Sequence, residues 1–586
     1  MKILGISGLE NSVPFKQASF PSLDERDYRI AQGMDSAAAL VIDGKLIAAA
    51  EQERFNGKKH TGDFPTGAIH YCLKEAGLSI HDIDEVAHGF NYAPFRADYQ
   101  NAPLARKLYD EVLSKDALLR QVSRELPGFP LDRVHQVDHH LAHAASAALT
   151  SGWSECLVIV NDAMGETDAI TVYKFSNGRL EKLHSVPAAA SIGILYSLVT
   201  LHLGFDFNSD EYKLMGLAPY GDPARFRHFF HDAVELLPDG SIRIPILELN
   251  RTPEESQNFS ATRAFLDKNL IPRRPLDLSL NSNHEDVAAA MQESLERAVM
   301  HVTEHFARQT GLRKLALAGG VALNCTANGK LIRSGLFDEV YIQPIAGDDG
   351  TALGAALHRA SLSEPVTNLR FPVPLFGPRY SAREIVAALH RFNGSISWQL
   401  LPSLDQVCEQ AAKLIAEGQV IAWFRGRLEY GPRALGNRSI LADPAHPELR
   451  DRINAMVKKR ESFRPFAPAC AVEDAHRWFE VAEGAHFPYM ISTVQVRPAV
   501  RQLLPAITHV NGSARLQTVS HDDNPDFHTL LQAVGKATGR QLVLNTSFNV
   551  KSQPTVNTPE EAIETFLRAG ISNLFLENFH VTRASA

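Results

Sequence analysis

His139 and His143 lie four residues apart in Val137-Asp-His-His-Leu-Ala-His-Ala-Ala-Ser. On a helix, that spacing puts two imidazoles on one face with their Cβ atoms about 5–6 Å apart. Two neutral ring nitrogens so placed suit one transition metal. The neighbourhood reads as a helix: Asp138 is the expected N-cap, Ala142 to Ala148 is alanine-rich, and Gly152 is the expected stop. From these residues alone, a His-rich helix start without a ligand remains the other reading. Asp348 and Asp349 precede a small-residue helix, where a carboxylate serves a metal or caps the helix, and both uses stay open. Further on, Trp423 to Ser439 carries Arg425, Arg427, Arg433 and Arg438 among glycines and a proline. Guanidinium groups in tight turns favour a bidentate pocket for phosphate or carboxylate.

The 586 residues are too many for one core, so about two to four domains are expected. With 59 basic and 67 acidic residues the formal charge is −8, which argues against a nucleic-acid partner. Five cysteines with no C-x-x-C pair exclude a disulfide framework and a zinc ribbon, and fit a reducing compartment. The N-terminal apolar run is too short for a signal peptide, and no stretch approaches the ~18–20 apolar residues of a membrane span. The expectation is a cytoplasmic protein without a membrane partner; an oligomer is compatible with all of this.

The chain must position these groups with α/β elements. Residues 1–7 read as a buried strand, followed by a polar insert from Glu10 to Gly33 without a clear period. Ala37 to Ala50 is two apolar runs joined by Asp43-Gly44, a strong hairpin signal. The pattern recurs: Cys156 to Asn161 is a strand, Asp162-Ala-Met-Gly-Glu a turn, and a second hairpin turns at Asn177-Gly178. This predicts a duplicated α/β unit like that of the actin, sugar-kinase and Hsp70 ATPases. Leu315 to Ala318 with Gly319-Gly320 reads as a third strand–turn–helix unit, whose glycines permit close backbone approach and whose helix start suits a phosphate. The stretch 361–378, with Pro365, Pro372, Pro374 and Pro378, reads as a linker between a domain at 1–360 and a smaller one at 379–586.

Six ordered motifs resemble the O-carbamoyltransferase family of antibiotic and nodulation-factor biosynthesis, which includes the tobramycin, cephamycin and geldanamycin carbamoyltransferases. They are Glu51-Gln-Glu-Arg-Phe with Lys58-Lys-His; His139-His-Leu-Ala-His; Tyr212-Lys-Leu-Met-Gly-Leu; Gly319-Gly-Val-Ala-Leu-Asn; Gly431-Pro-Arg-Ala-Leu-Gly; and Leu544-Asn-Thr-Ser-Phe-Asn. The resemblance implies an actin-like (ASKHA) large domain and a smaller YrdC-like domain. It implies that the small domain makes carbamoyl-adenylate from carbamoyl phosphate and ATP, and that the large domain passes the carbamoyl group to an alcohol of a secondary metabolite or sugar.

By the same resemblance, His139, His143, Asp162 and Asp348 match the metal ligands. Ligand type admits Fe²⁺, Mn²⁺ or Zn²⁺, and the family implies iron. Lys59 matches a basic catalytic residue, with Lys213 and His60 as further candidates. Gly193, Gly216, Gly319, Gly320 and Asn324 match the nucleotide site. In the small domain Arg427, Lys458, Arg464 and Arg515, with Arg433, match the phosphate-binding set, and Asn545 and Ser547 lie in its last motif; Mg²⁺ is expected on the ATP.

One departure stands out. The family has His-Asp-Ser or His-Asp-Ala on the second strand, and here the sequence is Met34-Asp35-Ser36. Met34 cannot take a proton, so Asp35 becomes the candidate base. The insert lacks histidine and is expected to shape the acceptor pocket. A milder departure is Asp162-Ala163-Met164, where Asp-Gly is common. The alternatives are a threonylcarbamoyl-type tRNA-modifying enzyme, an actin-like kinase, the carbamoyltransferase that matures hydrogenases, and a nucleotide-binding regulator without turnover.

Overall fold

The computed structural model describes residues 1–363, 370–458, 461 and 463–584, without the side chains of 456 and 458. It divides into two compact units, one of Met1–Glu53 with His60–Phe371 and one of Arg54–Lys59 with Pro372–Ala586. The six residues 54–59 therefore go with the second unit, although 1–360 was expected as a single stretch. Pro365 of the expected linker lies outside the described residues, and Pro372, Pro374 and Pro378 belong to the second unit.

The first unit holds two five-stranded sheets of the same design. One runs Lys45–Glu51, Ala37–Ile42, Lys2–Ile6, Glu85–His88, Val134–Gln136; the other runs Arg179–Pro187, Asp168–Ser176, Glu155–Asn161, Lys314–Ala318, Glu339–Ile342. In each, the third strand of the row pairs antiparallel with a hairpin on one side. On its other side it pairs parallel with the fourth strand, and the fourth pairs parallel with the fifth. The duplication expected from the two hairpins is present. Both turns have positive φ at both residues, at Asp43 (48°) and Gly44 (73°) and at Asn177 (49°) and Gly178 (81°). That backbone matches the twist of the strands it joins.

Two expectations need correction. The strand at Lys314–Ala318 does not open a third unit but joins the second sheet beside Glu155–Asn161. The insert is not irregular: it forms a helix, Ser12–Ser19, and a 3₁₀ turn, Glu25–Arg29. Its Phe15 packs with Leu9, Phe90, Tyr92 and Tyr109, so tertiary burial fixes a segment whose own pattern is weak.

Helix Asp349–Ser363 lies against helix His139–Ala148 and the strand Lys2–Ile6. The approach is close because small residues face each other. A Cβ on Gly354 would fall 1.8 Å from Ala142 O, and one on Gly5 would fall 1.9 Å from Ala352 O. This contact sets the start of one helix beside the histidines of the other.

Besides a two-stranded antiparallel sheet of Thr493–Gln495 with Ser513–Arg515, the second unit holds an eight-stranded mixed sheet, in the order Ile396–Leu400, Phe579–Arg583, Asn573–Leu576, Ile421–Phe424, Arg438–Ala442, Leu542–Ser547, Ala467–Ala471, Gln517–Val519. Its strands alternate between two apolar clusters: Ala422 and Phe424 enter one, Ile421 and Trp423 the other. Both faces are thus covered, which explains the continuous apolar runs of its central strands.

Candidate metal centre and the arginine-rich loop

His139 and His143 occupy the first turns of helix His139–Ala148 and are fully buried. Their Nε2 atoms are 3.1 Å apart. Asp162, just beyond strand Glu155–Asn161, brings Oδ2 to 3.4 Å from His139 Nε2 and 4.0 Å from His143 Nε2. Asp348, just before helix Asp349–Ser363, brings Oδ1 to 3.5 and 3.9 Å from the same two nitrogens. One ligand atom from each of the four residues lies within 4.8 Å of all the others. Two imidazoles and two carboxylates converge from three separate stretches of chain.

The surroundings orient the ligands. His139 Nδ1 lies 2.9 Å from Gly89 O; an Nδ1–H donated there aims Nε2 at the cluster, where a cation would take its lone pair. Without an ion, burial opposes the ring's charge but Asp348 and Asp162 overcome it and raise the His139 pKa well above its usual value. Phe90 stacks on the His139 ring with centroids 4.0 Å apart. Asp162 Oδ1 accepts the Gly320 N–H at 2.9 Å, which turns Oδ2 toward the histidines. Burial, and then His139, hold the His143 pKa well below its usual value, so the ring is in the neutral, ligating form. Burial opposes the charge on Asp162, but the His139 bond and the neighbouring imidazoles hold its carboxyl below the usual range. Burial raises Asp348, against the pull of His139. A divalent cation between the four groups would favour both ionised carboxylates. The donor set fits such an ion.

The helix start is built differently from the expectation. Asp138 occupies the N-cap position but its side chain caps nothing; Asp138 Oδ1 instead accepts from Asn91 Nδ2 at 2.9 Å. The His139 N–H is met by the Glu166 carboxylate at 2.9 and 3.1 Å, and Glu166 also accepts the Asn91 N–H at 2.7 Å. Burial raises the Glu166 carboxyl. No periodicity marks Glu166; only its place in the turn after Asp162 hints at it. The helix stops at Ala148, ahead of Gly152. Of the two adjacent aspartates, Asp348 joins the cluster while Asp349 accepts the Gly350 N–H at the helix start.

The expected nucleotide residues split. Gly193, Gly319 and Gly320 gather at Asp162: a Cβ on Gly193 would sit 2.8 Å from Asp162 O, and Gly319 takes φ 90° against Asn161 O. Asn324 N-caps helix Cys325–Arg333 and exchanges two amide hydrogen bonds with Gln292, each 3.0 Å. Gly216 and Lys213 lie on helix Glu211–Leu217, where Lys213 pairs with Asp210 at 2.8 Å. Lys59 belongs to the segment that goes with the second unit. Asp35 and His60 form a pair, His60 Nδ1 to Asp35 Oδ1 at 2.8 Å, that the sequence pattern did not reveal.

In the second unit the loop from Arg425 to Arg438 is wrapped around a buried carboxylate. Glu429 Oε1 accepts the N–H groups of Leu435, Asn437 and Arg438 at 2.7, 2.9 and 3.2 Å. Arg438 is fully buried, stacks on Phe424 at 3.6 Å, and donates to the carbonyls of Arg425, Asn437, Pro378 and Gly426. Burial lowers its pKa to about 10. Arg425 pairs with Asp526. These two arginines build the loop rather than a pocket, which corrects the reading of the whole run as an oxyanion site. Arg427 donates to Gly377 O and Phe376 O at 3.2 and 2.7 Å. Arg433 lies in the same loop. Arg464 is 3.7 Å from Glu461, and Arg515 ends the short strand Ser513–Arg515. Asn545 donates to Ala434 O and Gln517 Oε1 at 3.2 and 2.9 Å, and Ser547 donates to Asn549 Oδ1 at 2.8 Å. Asn545 thereby ties the last motif to this loop. The Lys458 side chain lies outside the described residues.

Residues 31–357 match the carbamoyltransferase N-terminus and residues 412–583 the carbamoyltransferase C-terminus. The chain belongs to the carbamoyltransferase family and is a transferase enzyme. It is similar to nodulation protein NolNO of Sinorhizobium fredii, with 40% identity over 557 residues, 94% of this chain and 79% of that protein. An uncharacterised protein of Synechocystis is 36% identical, over 94% of this chain and 95% of its own. The 3'-hydroxymethylcephem-O-carbamoyltransferase of Streptomyces clavuligerus is 36% identical over 362 residues, 61% of each chain. No helix among the described residues is long and apolar enough to cross a membrane.

Proposed function

We propose that this enzyme is an ATP-dependent O-carbamoyltransferase that makes carbamoyl-adenylate from carbamoyl phosphate and ATP and moves the carbamoyl group to a hydroxyl of a small molecule. The observation that carries this reading is the four-residue cluster of His139, His143, Asp162 and Asp348 in a chain of this family. Fe²⁺, with Mn²⁺ or Zn²⁺ as chemical equivalents, is the ion these residues would hold, and it would supply positive charge to the phosphate of the leaving group.

The chain's own groups account for the remaining tasks. Gly193, Gly319 and Gly320 let the backbone pack against Asn161 and Asp162 and so hold the Asp162 carboxylate toward the histidines, beside which the adenylate would bind. The second unit, read as YrdC-like, performs the adenylation. Arg427, Arg433, Lys458, Arg464 and Arg515 hold the phosphates with Mg²⁺ on the ATP, and Asn545 and Ser547 complete that site. Lys59 polarises the carbamoyl group, and Lys213 supports the nucleotide side from its pair with Asp210. The first unit, on this reading actin-like, performs the transfer. The acceptor is a secondary metabolite or sugar, as the name of the Streptomyces clavuligerus relative suggests for its own substrate.

The test uses purified protein, ATP, Mg²⁺ and carbamoyl phosphate without acceptor. Pyrophosphate release and a carbamoyl-adenylate mass, both dependent on carbamoyl phosphate, are expected. ATP left intact, or converted to ADP, would sink the adenylate chemistry.

A further inference from the structure

Two turns of the first unit are pinned together beside the metal cluster. The Ser36 N–H donates to Thr61 O at 2.9 Å, and the Leu9 N–H donates to Gly33 O at 3.0 Å. The segments are in tight contact: a Cβ on Gly62 would lie 2.8 Å from Gly33 O, and one on Gly8 would lie 2.5 Å from Ser36 Cβ. Each turn carries a non-glycine residue in the left-handed region, Asp35 at φ 57° and His60 at φ 54°. Such backbone persists only where the surroundings over-determine it, and it clusters at functional sites.

The two strained residues face each other. His60 Nδ1 is 2.8 Å from Asp35 Oδ1, and the His60 backbone N–H donates to Glu53 Oε2 at 2.7 Å. A proton on Nδ1, held by the carboxylate, leaves the lone pair on Nε2. That Nε2 is buried and has no hydrogen-bond partner. A buried basic nitrogen left unpaired calls for a ligand, a water or a catalytic role. Burial raises the carboxyls of Asp348 and Asp349, and Asp35 is close enough for its charge to add to that rise. Met34, one residue away, is buried and has no basic atom.

We propose that His60 is the general base for the acceptor hydroxyl and that Asp35 is its positioning residue, so that a carboxylate–imidazole pair performs the task Met34 cannot. This rests on the carbamoyl-transfer reading and changes the role of Asp35 within it. An imidazole is a stronger base than a carboxylate, and here the carboxylate is already engaged by the ring. In the transfer step the hydroxyl proton moves to His60 Nε2 as the oxygen bonds to the carbamoyl carbon. The bond from that carbon to the adenylate oxygen breaks, and AMP leaves with the electron pair. The imidazolium that forms is stabilised by Asp35, and the proton then returns to water.

The experiment compares nucleophiles that differ in their need for a base. Full-length protein loaded with iron is given ATP and carbamoyl phosphate. The hydroxyl probes are 3'-hydroxymethylcephem, glycerol and water; hydroxylamine is the probe that needs no base. Asparagine tolerates left-handed backbone, so His60→Asn preserves the turn. It is expected to slow carbamate formation on the hydroxyl probes about 10²–10⁴-fold, while hydroxyurea formation and pyrophosphate release stay near wild type. Asp35→Asn, which leaves His60 in place, is expected to lower kcat for the hydroxyl probes with little change in KM, and again to spare hydroxylamine. Equal losses with hydroxylamine and hydroxyl probes, or no loss with either, would overturn the proposal. A wild-type protein that releases no pyrophosphate would take down the adenylate reading and this proposal with it. That result is distinct from an intact first half-reaction with an unaffected second one.

Discussion

The cluster at His139 and the loop at Arg425–Arg438 both concentrate polar side chains, and they use them in opposite ways. In the cluster, two ligands are braced from behind, His139 by Gly89 O and Asp162 by the Gly320 N–H, and one ligand atom of each of the four residues faces a common centre. In the loop, much of the hydrogen-bonding capacity is turned inward, with Arg438 spent on four carbonyls and Glu429 on three N–H groups. A metal centre needs donors converging on a point from rigid elements. A loop of glycines and arginines must first hold its own shape, and buried charge does that only when fully hydrogen-bonded.

The comparison can be broken most directly at His143. His143→Ala is expected to abolish retention of iron, measured by elemental analysis of reconstituted protein, and to abolish carbamoyl transfer while pyrophosphate release survives. Unchanged metal content would remove the distinction between the two regions. Glu429→Ala strands three buried N–H donors and should cost about 3 kcal/mol in urea unfolding, with the pyrophosphate reaction lost and iron retained. A loop that survived this change would not be organised by its carboxylate. Gly354→Ala sharpens the other side. Its methyl would land 1.8 Å from Ala142 O, so the two helices must separate and Asp348 must shift. Iron affinity is expected to weaken about 10–100-fold, as for loss of a supporting group, read by competition with a chelator. The smallest effect separates two carboxylates at one helix start. Glu166→Gln should cost about 1 kcal/mol, as loss of a charged cap does, whereas Asp138→Ala should cost under about 0.5 kcal/mol, since Asp138 caps nothing. Thermal unfolding of the pair measures both, and the reverse ranking would contradict the observed hydrogen bonds.

Local chemistry made several features legible. The i, i+4 spacing of His139 and His143 places both rings on one helical face. Asp43-Gly44 and Asn177-Gly178 make tight hairpins because their backbones adopt positive φ readily. The repeat of strand, turn and hairpin disclosed the duplicated sheets. The insert was harder, because Phe15 is its main anchor and its partners Phe90, Tyr92 and Tyr109 are distant in sequence.

What the sequence by itself determined was therefore the periodic and short-range part: the helical face of the histidines, the two hairpins, the apolar strands and the family motifs. The residues alone left Asp348 and Asp349 open and the family resemblance singled out Asp348, whereas only the tertiary structure decided that Glu166 rather than Asp138 caps the histidine helix. It also decided that Asp35 holds His60, that Arg438 serves carbonyls, and that residues 54–59 go with the second unit. The physical reason is the same each time. A side chain's partner is set by which backbone segments pack closely, and that depends on contacts between residues tens to hundreds of positions apart, such as Gly354 against Ala142, which no local period records.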